Sequence, residues 1–255
     1  MEKEALHFDN NFENYDNIRP GYPKEIYEII SKYKTFDKNS KILEIGAGNG
    51  LASREIYSKW HCKLFLIEPG IDFCNFLNKK FGNIKDIKIE NTTFEEYPNQ
   101  IFFDAIFSAT AFHWLDLSNK YKKSYEMLKN DGLLILYWNY YGIDDIEMEN
   151  EMQKIYTKYG IGINDGKNGY ERQLETIENR KKEFEENGYF RMLEHKTIKR
   201  VKEYTAENNI KLLRTFPDHS KLDEGFFAEI YKKINQNGNK IDVRIMTNLI
   251  IGIKK

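Results

Sequence analysis

The residues best placed to do chemistry are Glu44-Ile45-Gly46-Ala47-Gly48-Asn49-Gly50, an acid followed by three glycines at alternate positions. Glycines spaced this way let the backbone turn tightly and let a ligand approach the main chain at a helix N-terminus. Further on, Glu68 stands in Ile67-Glu68-Pro69-Gly70, where a carboxylate can accept both hydroxyls of a ribose. A glycine loop with an acid ending the next strand points to an adenosine-containing ligand. A dinucleotide fingerprint beginning at Gly46 needs a glycine at position 51, and Leu51 is there instead. The loop therefore suits a smaller ligand with an amino-acid tail, whose ammonium would face Glu44 and the glycines. His113 is the candidate catalytic base, because it follows a predicted fourth strand on the side where open sheets bind ligands. Its alternative role is to fix the Phe112–Trp114 loop.

These residues need a frame, and residues 41–139 supply its pattern. Short apolar runs alternate with helical faces, the signature of βαβ units and a parallel sheet. Strands are expected at Lys41–Ile45, Lys63–Ile67, Ile87–Glu90, Phe103–Phe107 and Leu133–Trp138. The last is apolar throughout, as a buried central strand should be. Helices are expected on the face Ala52, Ile56, Trp60, over Phe73–Phe81, and on the face Tyr121, Tyr125, Leu128, the last capped by Ser118 and closed at Asp131-Gly132. Pro23 opens an earlier helix whose inner face is Ile26, Ile29, Ile30 and Tyr33. Leu193–Val201 and Val243–Ile253 read as strands, and Thr205–Leu213 and Phe226–Ile234 as helices. The whole, 1–255, is read as one domain of α/β class: a Rossmann-like, doubly wound, mostly parallel seven-stranded sheet flanked by helices. Within it 1–34 is an N-terminal lid and helix, 35–141 and 191–255 the core. The charged stretch 142–190, broken by Gly160, Gly162, Gly166 and Gly169, is a helical cap insertion.

Composition narrows the function. The 255 residues carry 39 Lys+Arg and 40 Asp+Glu, so the net charge of −1 speaks against a general polyanion binder, and no nucleic-acid substrate is expected. No apolar run approaches a membrane span, and the charged start Met1-Glu2-Lys3-Glu4 has no apolar segment behind it. Two cysteines, Cys62 and Cys74, are too few for a disulfide framework, and scattered histidines give no metal site. A cytoplasmic protein, monomer or homodimer, acting on a small molecule is the expectation.

The motifs together resemble the class I S-adenosylmethionine-dependent methyltransferases, in particular the small-molecule branch that includes trans-aconitate-type enzymes. Leu43–Gly50 matches the family's first motif and Glu68 its ribose-binding acid. Tyr15-Asp16-Asn17-Ile18-Arg19-Pro20-Gly21-Tyr22-Pro23 is similar to the branch's lid over the cofactor. Asp104–Trp114 matches its motif after the fourth strand, and Tyr204-Thr205-Ala206 with Leu213–Phe216 its C-terminal part. The resemblance implies a methyl group moved to a carboxylate or hydroxyl oxygen of a small organic metabolite. It also implies S-adenosylmethionine held by Tyr15, Arg19, Glu44, Gly46, Ala47, Gly48, Gly50, Glu68, Pro69, Thr93, Phe94, Ser108 and Ala109. Tyr15 and Arg19 would close over the cofactor, Arg19 pairing its carboxylate. Trp114 and Tyr22 would line the substrate pocket. Where many relatives carry an Asp for the adenine amino group, this chain has Asn91-Thr92-Thr93-Phe94-Glu95-Glu96, so a threonine hydroxyl would substitute, with Phe94 on the ring. The Pro-containing turn of amino-group methylases is replaced by Ser108-Ala109-Thr110-Ala111. Two readings stay open beside this one: a nicotinamide-dependent oxidoreductase, and a non-catalytic module that binds the cofactor.

Overall fold

Lys41–Ile45 forms strand β1 because Ile42, Leu43, Glu44 and Ile45 are all buried, on both faces of the sheet. The computed structural model describes residues 18–116, 118–161, 165–219 and 222–255. Helix α1 (Lys24–Tyr33) precedes β1, with Pro23 at its N-cap and Ile26, Tyr27, Ile29 and Ile30 inward. Then follow α2 (Leu51–Trp60), β2 (Lys63–Glu68), α3 (Ile71–Phe81), β3 (Ile87–Asn91), β4 (Phe103–Ala109) and a 3-10 turn at Phe112–Trp114. The chain continues with α4 (Lys120–Met127), β5 (Leu128–Ile143), α5 (Ile146–Lys158), α6 (Gly169–Glu186), β6 (Phe190–Tyr204), α7 (Ala206–Leu213), α8 (Glu224–Gln236) and β7 (Ile241–Lys254).

The seven strands lie in the order β3-β2-β1-β4-β5-β7-β6. Neighbours from β3 to β5 are parallel, while β7 runs antiparallel between β5 and β6. From β1 the chain first winds outward to β2 and β3, then returns to place β4 on the other side of β1. That reversal opens a crevice above the C-terminal ends of β1 and β4, where ligands of open sheets bind. Two apolar layers cover the sheet. One joins Ile26, Ile56, Trp60, Phe107 and Tyr137. The other joins Ile45, Phe103, Phe112, Leu136, Trp138 and Phe184. Among the described residues no helix is long and apolar enough to cross a membrane, and no group of three His, Cys, Asp or Glu side chains is placed to hold a metal.

Several expectations are corrected. Helix α4 ends at Met127, not at Asp131-Gly132, because Leu128 already pairs with Phe103. Ser118 does not cap it; its hydroxyl donates to Asp116, and Asn119 occupies the N-cap without a side-chain bond. Strand β5 runs on to Ile143 because β7 pairs with it along its whole outer half. The stretch 142–190 is also not all cap. Gly142 and Ile143 belong to β5, and α6 is a layer of the core. Phe184 of α6 is buried and occupies the space a Cβ on Gly252 would take, its Cζ 2.3 Å from that position. Helix α5 packs instead with α8 through Met148, Met152, Phe226 and Phe227. Gly162 lies outside the described residues.

Candidate functional site

A cavity of about 890 Å³ occupies the crevice, lined by the loops after β1, β2, β3 and β4, by the C-terminal end of β5 and by residues ahead of α1. The glycine loop forms its base. Gly46 and Ala47 both donate to Ile67 O, which ties the loop to β2. Gly46 has φ +68°, and a Cβ on it would stand 2.4 Å from that of Ala111, so the glycine lets the loops after β1 and β4 touch. Gly50 is corrected in role: it does not line the cavity. It is the N-cap of α2 at φ +77°, pressed against Phe81 and Leu77 of α3, so a Cβ there would lie 2.5 Å from the Phe81 ring. Gly50→Ala is expected to destabilise the fold by roughly 2–4 kcal/mol, left-handed strain and overpacking together. Thermal unfolding checks this, and a loss of less than about 3 °C would contradict it.

Two acids stand over the loop. The Glu68 carboxylate accepts from Gly48 N–H at 2.8 Å through Oε2 and from Gly70 N–H at 2.9 Å through Oε1. It thereby clamps the loop after β1 to the turn after β2. Glu44 is 1% exposed, and its Oε2 accepts from Ser53 Oγ at 2.6 Å. Its Oε1 is buried without a hydrogen-bond partner. Burial, reinforced by the nearby Glu68 charge, pushes the Glu44 carboxyl up to about 8. A buried acceptor without a donor, beside an open glycine loop, fits a ligand bearing an ammonium group. These residues therefore fit S-adenosylmethionine.

The far wall comes from the segment after β3. Asn91 Nδ2 donates to Glu68 O and Pro69 O, locking the turns after β2 and β3 together. Thr93 and Phe94 line the cavity as expected, but the Thr93 hydroxyl bonds Glu96 and so caps its own turn. Phe94 is 3% exposed and belongs to the core layer it shares with Ile67 and Phe112.

The other end lies above β4 and β5. Its roof is the run 18–22, and each residue of that run is held from elsewhere in the chain. Tyr204 Oη donates to Ile18 O at 3.0 Å. Arg19 donates from Nε and Nη2 to Thr215 Oγ1 and O, both at 2.9 Å, with its guanidinium 4.7 Å from the Phe216 ring and 5.5 Å from Tyr141. Asn139 Nδ2 donates to Pro20 O, and Arg200 Nη2 to Gly21 O. Tyr22 Oη pairs with Thr110 Oγ1 at 2.9 Å. Thr110 has φ +58°, a conformation costing a β-branched residue roughly 1–2 kcal/mol.

Of the expected site residues, Arg19, Tyr22, Glu44, Gly46, Ala47, Gly48, Glu68, Pro69, Thr93, Phe94, Ala109 and Trp114 come together around the cavity. Tyr15 lies outside the described residues. Ser108 is corrected: it is fully buried, its hydroxyl donating to Ile45 O, and it joins β4 to β1 rather than facing a ligand. His113 is corrected as well. It does not line the cavity, and its Nδ1 accepts from Trp138 Nε1 at 3.2 Å. The neutral ring then carries its proton on Nε2 and keeps no lone pair for a substrate proton. Burial, then the Arg180 and Lys120 charges, lower it to about 4. His113→Phe is therefore expected to lower Tm while costing less than about tenfold in kcat, where a base costs roughly 10²–10⁴-fold. A loss of about 100-fold with cofactor affinity intact would restore the base. The turn that carries His113 and Trp114 is braced from α6: Lys120 Nζ is 2.9 Å from Glu183 and donates to Phe112 O.

Sequence reasoning missed Asn91, Thr110, Asn139 and Tyr141, which also line the cavity. Asn139 and Tyr141 alternate at the C-terminal end of β5, a position that marks crevice residues once the strand's true end is known.

A family model described as a methyltransferase domain matches residues 42–132. An uncharacterised methyltransferase of Schizosaccharomyces pombe is 24% identical over 250 residues, 94% of each chain. Among solved structures, phosphoethanolamine N-methyltransferase 2 of Haemonchus contortus, in complex with phosphomonomethylethanolamine and S-adenosylhomocysteine, aligns with TM-score 0.54 at 14% identity, over 96% of this chain and 57% of that one. The cyclopropane synthase MmaA2 of Mycobacterium tuberculosis aligns with TM-score 0.55 at 12% identity, over 97% and 98%. At such identities these two share the fold.

Proposed function

From the premise that this chain is a class I S-adenosylmethionine-dependent methyltransferase, we propose that it moves the methyl group to an oxygen, carboxylate or hydroxyl, of a small organic metabolite in the cytoplasm. The cofactor, when bound, supplies an electrophilic methyl on a sulfonium. Glu68 accepts the ribose hydroxyls, and Glu44 with the Gly46–Gly48 backbone receives the ammonium of the amino-acid tail. Arg19, set against the Tyr141 and Phe216 rings, pairs a carboxylate from the roof. Trp114, 40% exposed, and Tyr22 wall the acceptor.

One observation carries the oxygen reading. Toward β4 and β5 the cavity offers Tyr22, Thr110, Asn139 and Tyr141, neutral hydrogen-bonding groups, and His113 is turned away from it. Transfer to a carboxylate requires no proton removal, so it asks nothing of this end except alignment. Holding nucleophile, methyl and sulfur in line supplies roughly 7–11 kcal/mol of the barrier. The near-neutral charge supports a small molecule over a nucleic acid.

Thermal unfolding with S-adenosylmethionine, S-adenosylhomocysteine, NAD or NADP is the first test. Ligand at 100 times its Kd stabilises by about 2.7 kcal/mol, which raises Tm on the order of 5–10 °C. The rise is expected with the two adenosyl sulfur compounds alone. Methyl-labelled cofactor is then offered with panels of small acids, alcohols and amines. Label in an alkali-labile ester or in an ether supports the proposal, and label in amines alone overturns it.

A further inference from the structure

We infer that Thr110 is a positioning residue for methyl transfer, holding the Tyr22 hydroxyl in one place over the acceptor end of the cavity. The inference rests on the reading of that end as the acceptor site. Thr110 adopts a left-handed backbone that Gly or Asn would take with little or no strain, yet neither would bring a hydroxyl there. The position is held from three sides. Its N–H donates to Tyr137 O at 2.8 Å, on the last rung joining β4 to β5. Its Oγ1 accepts from the Asn139 N–H at 3.3 Å and meets Tyr22 Oη at 2.9 Å.

Tyr22 is fixed at its other end too. Its ring meets Tyr137 edge-on, centroids 4.6 Å apart, and Gly21 and Pro20 before it are tied by their carbonyls to Arg200 and Asn139. The roof and the turn after β4 therefore share one hydrogen bond, and both line the cavity. Strained residues persist where their surroundings over-determine them, and they concentrate at sites whose geometry matters. A contact displaced by about 1 Å can cost about 100-fold in rate.

Three substitutions separate the hydroxyl from the backbone. Thr110→Gly relaxes the turn and removes the hydroxyl, Thr110→Val keeps the branched shape without it, and Thr110→Ser keeps it. With an acceptor from the panels above, the Gly and Val variants are expected to lose at least about tenfold in kcat/KM, with S-adenosylhomocysteine affinity within about twofold. The Ser variant should stay within about threefold of the parent, and Tm of the Gly variant should equal or exceed the parent's. The double variant Thr110→Val with Tyr22→Phe should cost less than the sum of the two single changes, since both remove the Tyr22–Thr110 contact. Full activity in the Gly and Val variants, or a parallel loss of cofactor affinity, overturns the inference. A parent enzyme that methylates only amines ends the oxygen reading alone, because the same ratios are then measured with the amine. If none of these acceptors turns over, fluorine NMR of protein labelled with 3-fluorotyrosine decides. The Tyr22 signal, assigned through Tyr22→Phe, is expected to shift in Thr110→Val and not in Thr110→Ser; an unmoved signal in both overturns the inference.

Discussion

Replacing Glu68 by Ala is expected to weaken S-adenosylhomocysteine binding by at least about 100-fold, a loss of about 2.7 kcal/mol. Hydrogen bonds to a charged group contribute roughly 1.5–3 kcal/mol each. Glu68 accepts two from the backbone before any ligand is counted, one from the loop after β1 and one from the turn after β2. Its removal both takes away the acceptor proposed for the ribose and lets the two loops part. Glu68→Gln sharpens the argument. Both carboxylate oxygens face N–H donors, and an amide has one oxygen, so its NH₂ must meet either Gly48 N–H or Gly70 N–H, donor against donor. The Gln variant should therefore bind nearly as weakly as Ala. Titration calorimetry of both variants measures this, and a Gln variant within about threefold of the parent would contradict the clamp.

The second large effect is a pH dependence set by Glu44. Its carboxyl, held near 8 by burial and by Glu68, is largely protonated in the ligand-free protein at neutral pH. An ammonium arriving at Oε1 favours the carboxylate, so binding releases a proton. Below pH 8 the affinity should rise with pH by up to about tenfold per unit, then level off. Glu44→Gln should flatten that profile. Ligand-free stability moves the other way. The folded pKa lies above the unfolded value, so the stabilisation is complete below about 4.5 and is lost as pH rises through 8, by up to roughly 1.4 kcal/mol per unit. His113 and His219, both lowered to about 4 by burial, act oppositely and lose stability as pH falls from about 6.5. The Glu44 contribution is therefore isolated between pH 6.5 and 8, as the difference between parent and Glu44→Gln. An affinity profile as steep in the Gln variant as in the parent would assign the proton elsewhere.

Much of the crevice proposed to hold the cofactor was legible because it is local. The acid and the glycines of residues 44–50 sit in one turn, and Glu68 ends the very next strand. A parallel βα repeat puts both at the same edge of the sheet whatever the remaining chain does. Strand positions followed from apolar runs, since a strand buried on both faces has no alternation to hide. Ends were less legible: the apolar run predicts six residues for β5, which has 16, because Leu128 already pairs with Phe103 ahead of the run and β7 pairs with the strand on to Ile143 beyond it.

What the sequence by itself determined was the α/β frame, the glycine loop and the acid beside it, all products of short-range pattern and of backbone chemistry. The tertiary structure alone decided which side chains turn toward the cavity. Gly50 serves the contact of α2 with α3, Ser108 joins two strands, and His113 spends its lone pair on Trp138. It alone also brought Tyr22, Thr110, Asn139, Thr215 and Arg200 to one roof, from positions up to about 190 residues apart. The reason is physical: periodicity reports which face of an element is apolar, whereas the partner of a polar atom depends on what the rest of the chain packs against it.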